Sequence, residues 1–124
     1  MVTERRNLGD FGELVASHKL ESLGMRIVAR NVRIGRAEID LVAEDGDDLV
    51  FVEVRTRRGA SGLAAESITP AKLRTMWTCV FGYCEAHGIA TERARVDLVA
   101  VDLDGKGAAR SVEHFRALES PAEE

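Results

Sequence analysis

Two β-rich runs, AEIDLVAED (37–45) and LVFVEVRTR (49–57), are separated only by turn residues centred on Gly46-Asp47. That pattern predicts a β-hairpin. No other feature constrains the chain as much, because loop length sets the register and register sets which side chains share a face. A two-residue loop at Gly46-Asp47 pairs Asp45 with Asp48, and a four-residue loop spanning 45–48 preserves the alignment. Asp40 then stands opposite Glu53 and Glu38 opposite Arg55, and alternation predicts all four on one face. An odd-length loop would break this register.

Glu53 and Arg55 are out of character in a run suited to the middle of a sheet. A buried charge is costly unless it is paired or bound to a metal. Carboxylates on directly opposed residues repel one another, and such a pair wants a shared proton or a cation. Hard ions such as Mg²⁺ are held by one or two carboxylates together with water and phosphate oxygens. One reading is therefore a metal site at Asp40 and Glu53, with Arg55 as a donor aimed at the same place. The other is a surface Glu38–Arg55 ion pair beside solvated acids. Residues 49–54 are apolar on both faces except at Glu53, which favours the first.

The remaining chain punctuates clearly. Leu8, Phe11, Val15, Leu20 and Leu23 recur at helical spacing through residues 4–23, with Gly24 as a stop. MRIVARNVR (25–33) reads as a strand and RGASGLAAES (58–67) as a loop. Thr69-Pro70 is a helix start, a capping oxygen followed by proline at the first helical position. That helix should run to about His87, with Gly88 ending it. ARVDLVAVDL (94–103) is a strand, Asp104-Gly105 a turn, SVEHF (111–115) a last edge strand, and residues 118–124 a frayed tail. The order α-β-β-β-α-β-β predicts an α/β fold, a mixed β-sheet flanked by helices.

At 124 residues, 45% hydrophobic and 31% charged, the chain suits one domain spanning 1–124 and is neither disordered nor fibrous. The net charge of −4 argues against a strongly basic nucleic-acid binder, but its distribution matters more. Residues 1–80 balance 12 Lys/Arg against 12 Asp/Glu, while residues 81–124 hold 5 against 9. Arg26, Arg30, Arg33 and Arg36 cluster, as do Arg55, Arg57 and Arg58. A local positive face and a scatter of solvated arginines both fit that pattern. No apolar run approaches the roughly 20 residues that cross a bilayer. MVTERRNLGD lacks a signal-peptide stretch, so a cytoplasmic protein with no membrane partner is expected. Cys79 and Cys84 lack zinc spacing and are expected to be reduced packing residues.

Several motifs, in order, carry a resemblance. Gly12-Glu13, RNVR (30–33), EIDLV (38–42), Asp45-Gly46, LVFVEVRTR (49–57), SITPAK (67–72) and DLVAVD (97–102) together resemble the YraN family of bacterial proteins, over about residues 5–116. That family in turn resembles the PD-(D/E)xK nucleases, in particular archaeal Holliday junction resolvases. The resemblance implies a restriction-endonuclease-like αβββαβ core and Mg²⁺- or Mn²⁺-dependent hydrolysis of phosphodiesters. Carried over by motif, Asp40 is the acid of the second strand, and Glu53 and Arg55 occupy the E-x-K positions. Glu13 matches the helix-borne acid, and the Val54 carbonyl is a further metal ligand. DNA in preference to RNA, a branched substrate and a homodimer are implied by the same route. Two positions depart: Ala37 stands where glycine is common, and Arg55 stands where lysine is usual. An arginine side chain stays protonated and cannot be a general base, though it can orient water or offset charge on a phosphoryl group.

Other candidates are weaker. On spacing alone, Glu13 is a solvent-facing helix residue. Lys72, near a helix N-terminus, is either a phosphate contact or a solvated lysine. Arg57, Arg58, Ser67 and Thr69 flank the loop and are candidates to line a nucleic-acid path. Trp77, Phe81 and Tyr83 read as packing residues, and His18, His87 and His114 show no ligand spacing. The rival to a nuclease is a nucleic-acid- or partner-binding domain that keeps the fold without turnover.

Overall fold

Thr69 and Gly88 show how closely local sequence dictates the elements. In the structure, a computed structural model describing residues 4–59 and 68–121, Thr69 caps the helix Pro70–His87 by accepting the Lys72 N–H at 3.1 Å. Gly88 ends it in the left-handed conformation, φ 64°, where a residue without Cβ is unstrained. We number the elements α1 (Glu4–Ser22), β1 (Arg26–Ile34), β2 (Ala37–Asp45), β3 (Asp48–Arg58), α2 (Pro70–His87), β4 (Ala94–Leu103) and β5 (Ala109–Phe115), with a 3₁₀ turn at Thr91–Arg93. The expected loop runs into residues 60–67, which lie outside the described residues, as does Ser67.

The five strands form one mixed sheet in the order β1-β2-β3-β4-β5. β1, β2 and β3 are an antiparallel meander, β3 and β4 are parallel, and β5 returns antiparallel to β4. The parallel pair requires a crossover, and α2 supplies it. The β2–β3 ladder runs from Asp45↔Asp48 to Leu41↔Val52, the register the hairpin predicts. The architecture is the α/β fold expected, consistent with a restriction-endonuclease-like core.

Both faces of the sheet are covered, so its central strands are apolar on both sides. Ala16 and Leu20 of α1 pack on Leu41, Ala43, Val50, Val52, Val99 and Val101. Met76, Val80 and Cys84 of α2 pack on Ile39, Val42, Leu49, Phe51 and Val96. Both cysteines are free. The buried stripe of α1 differs from the one read in the sequence. Gly12, Ala16 and Leu20 are buried, whereas Phe11 and Leu23 are 40% and 50% exposed. Small residues face the sheet because the helix lies close to it. Phe81 is likewise 48% exposed, leaning on Trp77, while Tyr83 packs edge-on against Phe51. Leu118, expected to open a frayed tail, is held at both ends: its N–H donates to Val96 O and its carbonyl accepts the Trp77 Nε1–H.

Alternation fails in β2 and in β1 beside it, where the register also shifts between Ile27 and Ala29. Leu41 and Ala43 belong to the α1-side core, but Ile39, two residues earlier, belongs to the α2 side. β1 switches beside it: Ala29 and Val32, an odd number of positions apart, both pack on the α2 side. Between them Asn31 adopts φ 51°, a left-handed backbone that asparagine tolerates. The faces of β1 and β2 therefore invert at Asn31 and Asp40.

A second polar cluster fastens the opposite end of the sheet. Arg95 Nε and Nη2 donate to the two carboxylate oxygens of Asp97 at 3.0 Å each, and its Nη1 donates to Asp45 at 2.9 Å and Asp48 at 3.2 Å. Asp97, fully buried, also meets His114 Nε2 at 2.7 Å and accepts the Ala117 N–H. Burial opposes the charge on Asp97, but hydrogen bonds from Arg95, Ala117 and His114 outweigh it and hold the carboxyl below its usual range. The sequence reading treated His114 as bland and did not single out Arg95 or Asp97.

Candidate active site

Asp40 sits where β2 and β3 part. One residue beyond the last ladder pair, its Oδ2 accepts the Val54 N–H at 2.8 Å instead of the strands continuing to pair. Glu53 projects beside it, 5% exposed. Burial raises the pKa of both acids, Glu53 to about 7, and each also feels its neighbours' charge. For Asp40 the Val54 N–H opposes that rise, and for Glu53 the charge of Asp40 adds to it, so a second negative charge on the pair is costly. That is the behaviour of neighbouring buried acids whose nearby cations offset their charge only in part.

Two cations flank Glu53. Arg55 Nε lies 3.0 Å from Glu53 Oε2, yet its N–H is not aimed along that contact, and the buried Nε makes no hydrogen bond. The pair is ionic, and a guanidinium donor remains uncommitted. Lys72 reaches in from the first turn of α2, its Nζ 3.9 Å from the same oxygen.

α1 brings a third acid. The helix approaches β3 so closely that a Cβ on Gly12 would lie 1.8 Å from Thr56 Oγ1 and 3.0 Å from Thr56 Cβ. The next residue, Glu13, thereby faces the site: burial, then the charges of Asp40, Asp10 and Glu38, raise its pKa to about 7, against the opposing charge of Arg30. The Asn31 amide, turned with its NH₂ toward the acids, stands 3.2 Å from both Glu13 Oε1 and Glu38 Oε1. Arg30 Nη1 donates to Ser17 Oγ, which donates to the Glu13 carbonyl. Two clefts, of ≈ 380 and ≈ 430 Å³, meet at Gly9 and Glu13; Val54, Arg55 and Arg57 line the first, Asn31 and Glu38 the second.

Gly12→Ala should therefore lower stability by about 1–2 kcal/mol, the overpacking cost exceeding the helix-propensity gain. Adding Thr56→Ala should recover part of that loss, because Thr56 Cβ remains close. Urea unfolding of the three proteins checks this; an unchanged or raised midpoint for Gly12→Ala would show the helix is free to lift.

The site residues read from sequence do not all lie together. Asp40, Glu53, Arg55 and Lys72 converge, while Glu13 of α1 stands apart from the acid pair in the cleft lined by Val54, Arg55 and Arg57. Glu38 does not share their face: the inversion at Asp40 turns it toward Asn31 and Glu13, so the expected Glu38–Arg55 pair is replaced by Arg55–Glu53. Arg57 lines the Glu13 cleft, whereas Arg58 Nη2 donates to Gly105 O in the β4–β5 turn. Thr69 serves as the helix cap. Asn31 has one signal in the sequence, an Asn between the arginines of RNVR (30–33).

The family model described as uncharacterised protein family UPF0102 matches residues 12–101. The chain belongs to UPF0102. A UPF0102 protein of Arthrobacter sp. (strain FB24) is 46% identical over 112 residues, 90% of this chain and 94% of that one. One from Chloroflexus aurantiacus is 45% identical over 106 residues, 85% and 87% of the two chains. One from Dehalococcoides mccartyi is 40% identical over 104 residues, 83% and 86%. The UPF0102 model thus spans Glu13, Asp40, Glu53, Arg55 and Lys72.

Whether these UPF0102 residues suit a divalent ion depends on the donors. Among the described residues no group of three or more His, Cys, Asp or Glu side chains converges in ligating geometry. Two neighbouring carboxylates whose charge is costly nevertheless fit a hard cation that keeps most of its water. Their raised pKa values also make metal-free stability pH-dependent. A carboxyl whose pKa rises on folding contributes stability below its unfolded pKa and loses it as pH climbs through the folded one. For Glu53 that window runs from 4.5 to about 7, and ionising the group costs on the order of 3 kcal/mol. The melting temperature should accordingly fall between pH 4.5 and about 7, and Glu53→Gln should flatten that fall; a flat wild-type profile would contradict the raised pKa of Glu53.

Among the described residues no helix is long and apolar enough to cross a membrane.

Proposed function

We propose that this UPF0102 protein is a Mg²⁺- or Mn²⁺-dependent nuclease-like hydrolase of DNA phosphodiesters. One observation carries the reading: a buried acid, Glu53, and a half-buried one, Asp40, stand where β2 and β3 part, with the cations of Arg55 and Lys72 beside Glu53. Asp40 and Glu53 would hold the ion, with Glu13 and the Val54 carbonyl as further donors. When bound, the ion supplies Lewis acidity for attack on the phosphorus. The protein does the rest. The Val54 N–H fixes the Asp40 carboxylate. Arg55, whose side chain is partly exposed, would bind a non-bridging phosphate oxygen through its guanidinium. Arg57 at the cleft rim steers the backbone. DNA rather than RNA, a branched substrate, a homodimer and a cytoplasmic setting belong to the same proposal and rest on the nuclease resemblance.

A second reading, a nucleic-acid- or partner-binding domain without turnover, is favoured by Arg55 standing where a lysine is usual and by the absence of a three-acid cluster among the described residues. The deciding experiment is cleavage of single-stranded, duplex and four-way-junction DNA in Mn²⁺ or Mg²⁺, with wild type, Asp40→Asn and Glu53→Gln. Cutting by wild type alone supports the nuclease. Equal binding by all three proteins with no cutting supports the binding domain.

A further inference from the structure

Lys72 is in the wrong place for a helix. With Thr69 as cap it is the third residue of α2, whose first turn contains no acid. A cation there opposes the positive end of the helix macrodipole. A lysine has a flexible four-carbon stem and a strongly hydrated head, so an exposed one normally turns to solvent. This one is only 34% exposed and bends toward Glu53, 3.9 Å away, and its charge also acts on Asp40. A local rule broken at such a point signals function. Arg55 also pairs with Glu53, at 3.0 Å, but it projects from the same strand and lines the Glu13 cleft, whereas Lys72 reaches the acids from a separate element.

We propose that Lys72 is the resident counter-ion of the Asp40–Glu53 pair, a built-in cation that a divalent metal displaces and that is then free to meet the incoming phosphodiester. The inference rests on reading the acid pair as the metal seat. An ammonium within about 4 Å of an acid oxygen repels a divalent ion at the same oxygens strongly, so the two cations exclude one another. The metal-free protein thus keeps its acids partly neutralised. The metal-loaded protein gains a mobile cation, released from Glu53, beside the seat.

The test is calorimetric titration of full-length protein with Mn²⁺ at pH 8, comparing wild type, Lys72→Met and Lys72→Arg. Lys72→Met should bind Mn²⁺ roughly tenfold tighter or more, because the competing charge is gone. Lys72→Arg, which keeps the charge, should stay near wild type. If wild type binds and Lys72→Met binds equally or more weakly, the counter-ion role is overturned while the metal seat stands. If Lys72→Met and Lys72→Arg both tighten, charge is not the cause, and the role is likewise overturned. If no protein binds, the metal seat itself falls and the inference with it. If only Lys72→Met binds, the counter-ion role holds and metal-dependent turnover by the wild type is overturned. Should Lys72→Met not fold, Lys72→Gln replaces it on the same criteria.

Discussion

Asp40→Asn should raise the stability of the metal-free protein at pH 8 while reducing DNA cleavage to background. The two effects have opposite signs for one reason. At pH 8 the acid pair is largely ionised, and burial makes the second negative charge costly. An asparagine keeps the shape, still accepts the Val54 N–H through its carbonyl oxygen, and can donate its amide to Glu53. It removes one charge and leaves no buried polar group unmet, so a gain of about 1–3 kcal/mol is expected. The same exchange removes a carboxylate from the proposed metal seat, for which a loss of at least 10³-fold in rate is reasonable. Melting curves with and without Mn²⁺ separate the two: the wild type should be stabilised by the ion and the mutant should not. A mutant less stable than wild type at pH 8 would mean that Asp40 is primarily a structural cap on β3.

Asp97→Ala should be the most damaging single change to stability. Asp97 is fully buried and receives four bonds, two from Arg95, one from His114 and one from the Ala117 N–H. Removing it strands a guanidinium that is itself only 10% exposed, leaving it the Asp45 and Asp48 contacts of Nη1 alone. Breaking one partner of a buried ion pair costs about 3–5 kcal/mol, a large share of a typical domain's stability. A fall of roughly 10–20 °C in melting temperature follows. Replacing both partners, Arg95→Met with Asp97→Leu, should recover much of the loss, because no buried charge is then left alone. If the double substitution is as unstable as Asp97→Ala, the cost lies in the bonds to His114 and Ala117, and the edge strand β5 is what Asp97 secures.

These two carboxylates show how far a sequence can be read. Asp40 was legible because its environment is built from neighbours: a tight turn, a period of two and an apolar run with one acid out of place. The register from Asp45↔Asp48 onward and the capping of α2 by Thr69 and Gly88 follow from equally local rules. Asp97 was not legible, because ARVDLVAVDL reads as an ordinary strand. Its partners come from β4 itself, β5 and the segment after it, and nothing in ten residues announces that they will meet.

The same boundary runs through the candidate site. By itself, the sequence determined the order of elements, the β2–β3 register, and the placing of Asp40, Glu53 and Arg55 near the end of one hairpin. Turn chemistry, helix caps and alternation act over a few residues, so they are written locally. Only the tertiary structure decided that the sheet inverts at Asn31 and Asp40, turning Glu38 away. It also decided that Gly12 lets α1 close down on β3 so that Glu13 lines the cleft beside Val54 and Arg55, and that Lys72 arrives from α2. Those outcomes depend on how closely two helices settle on opposite faces of a sheet, a matter of steric fit and charge between residues 14 to 44 positions apart in the chain.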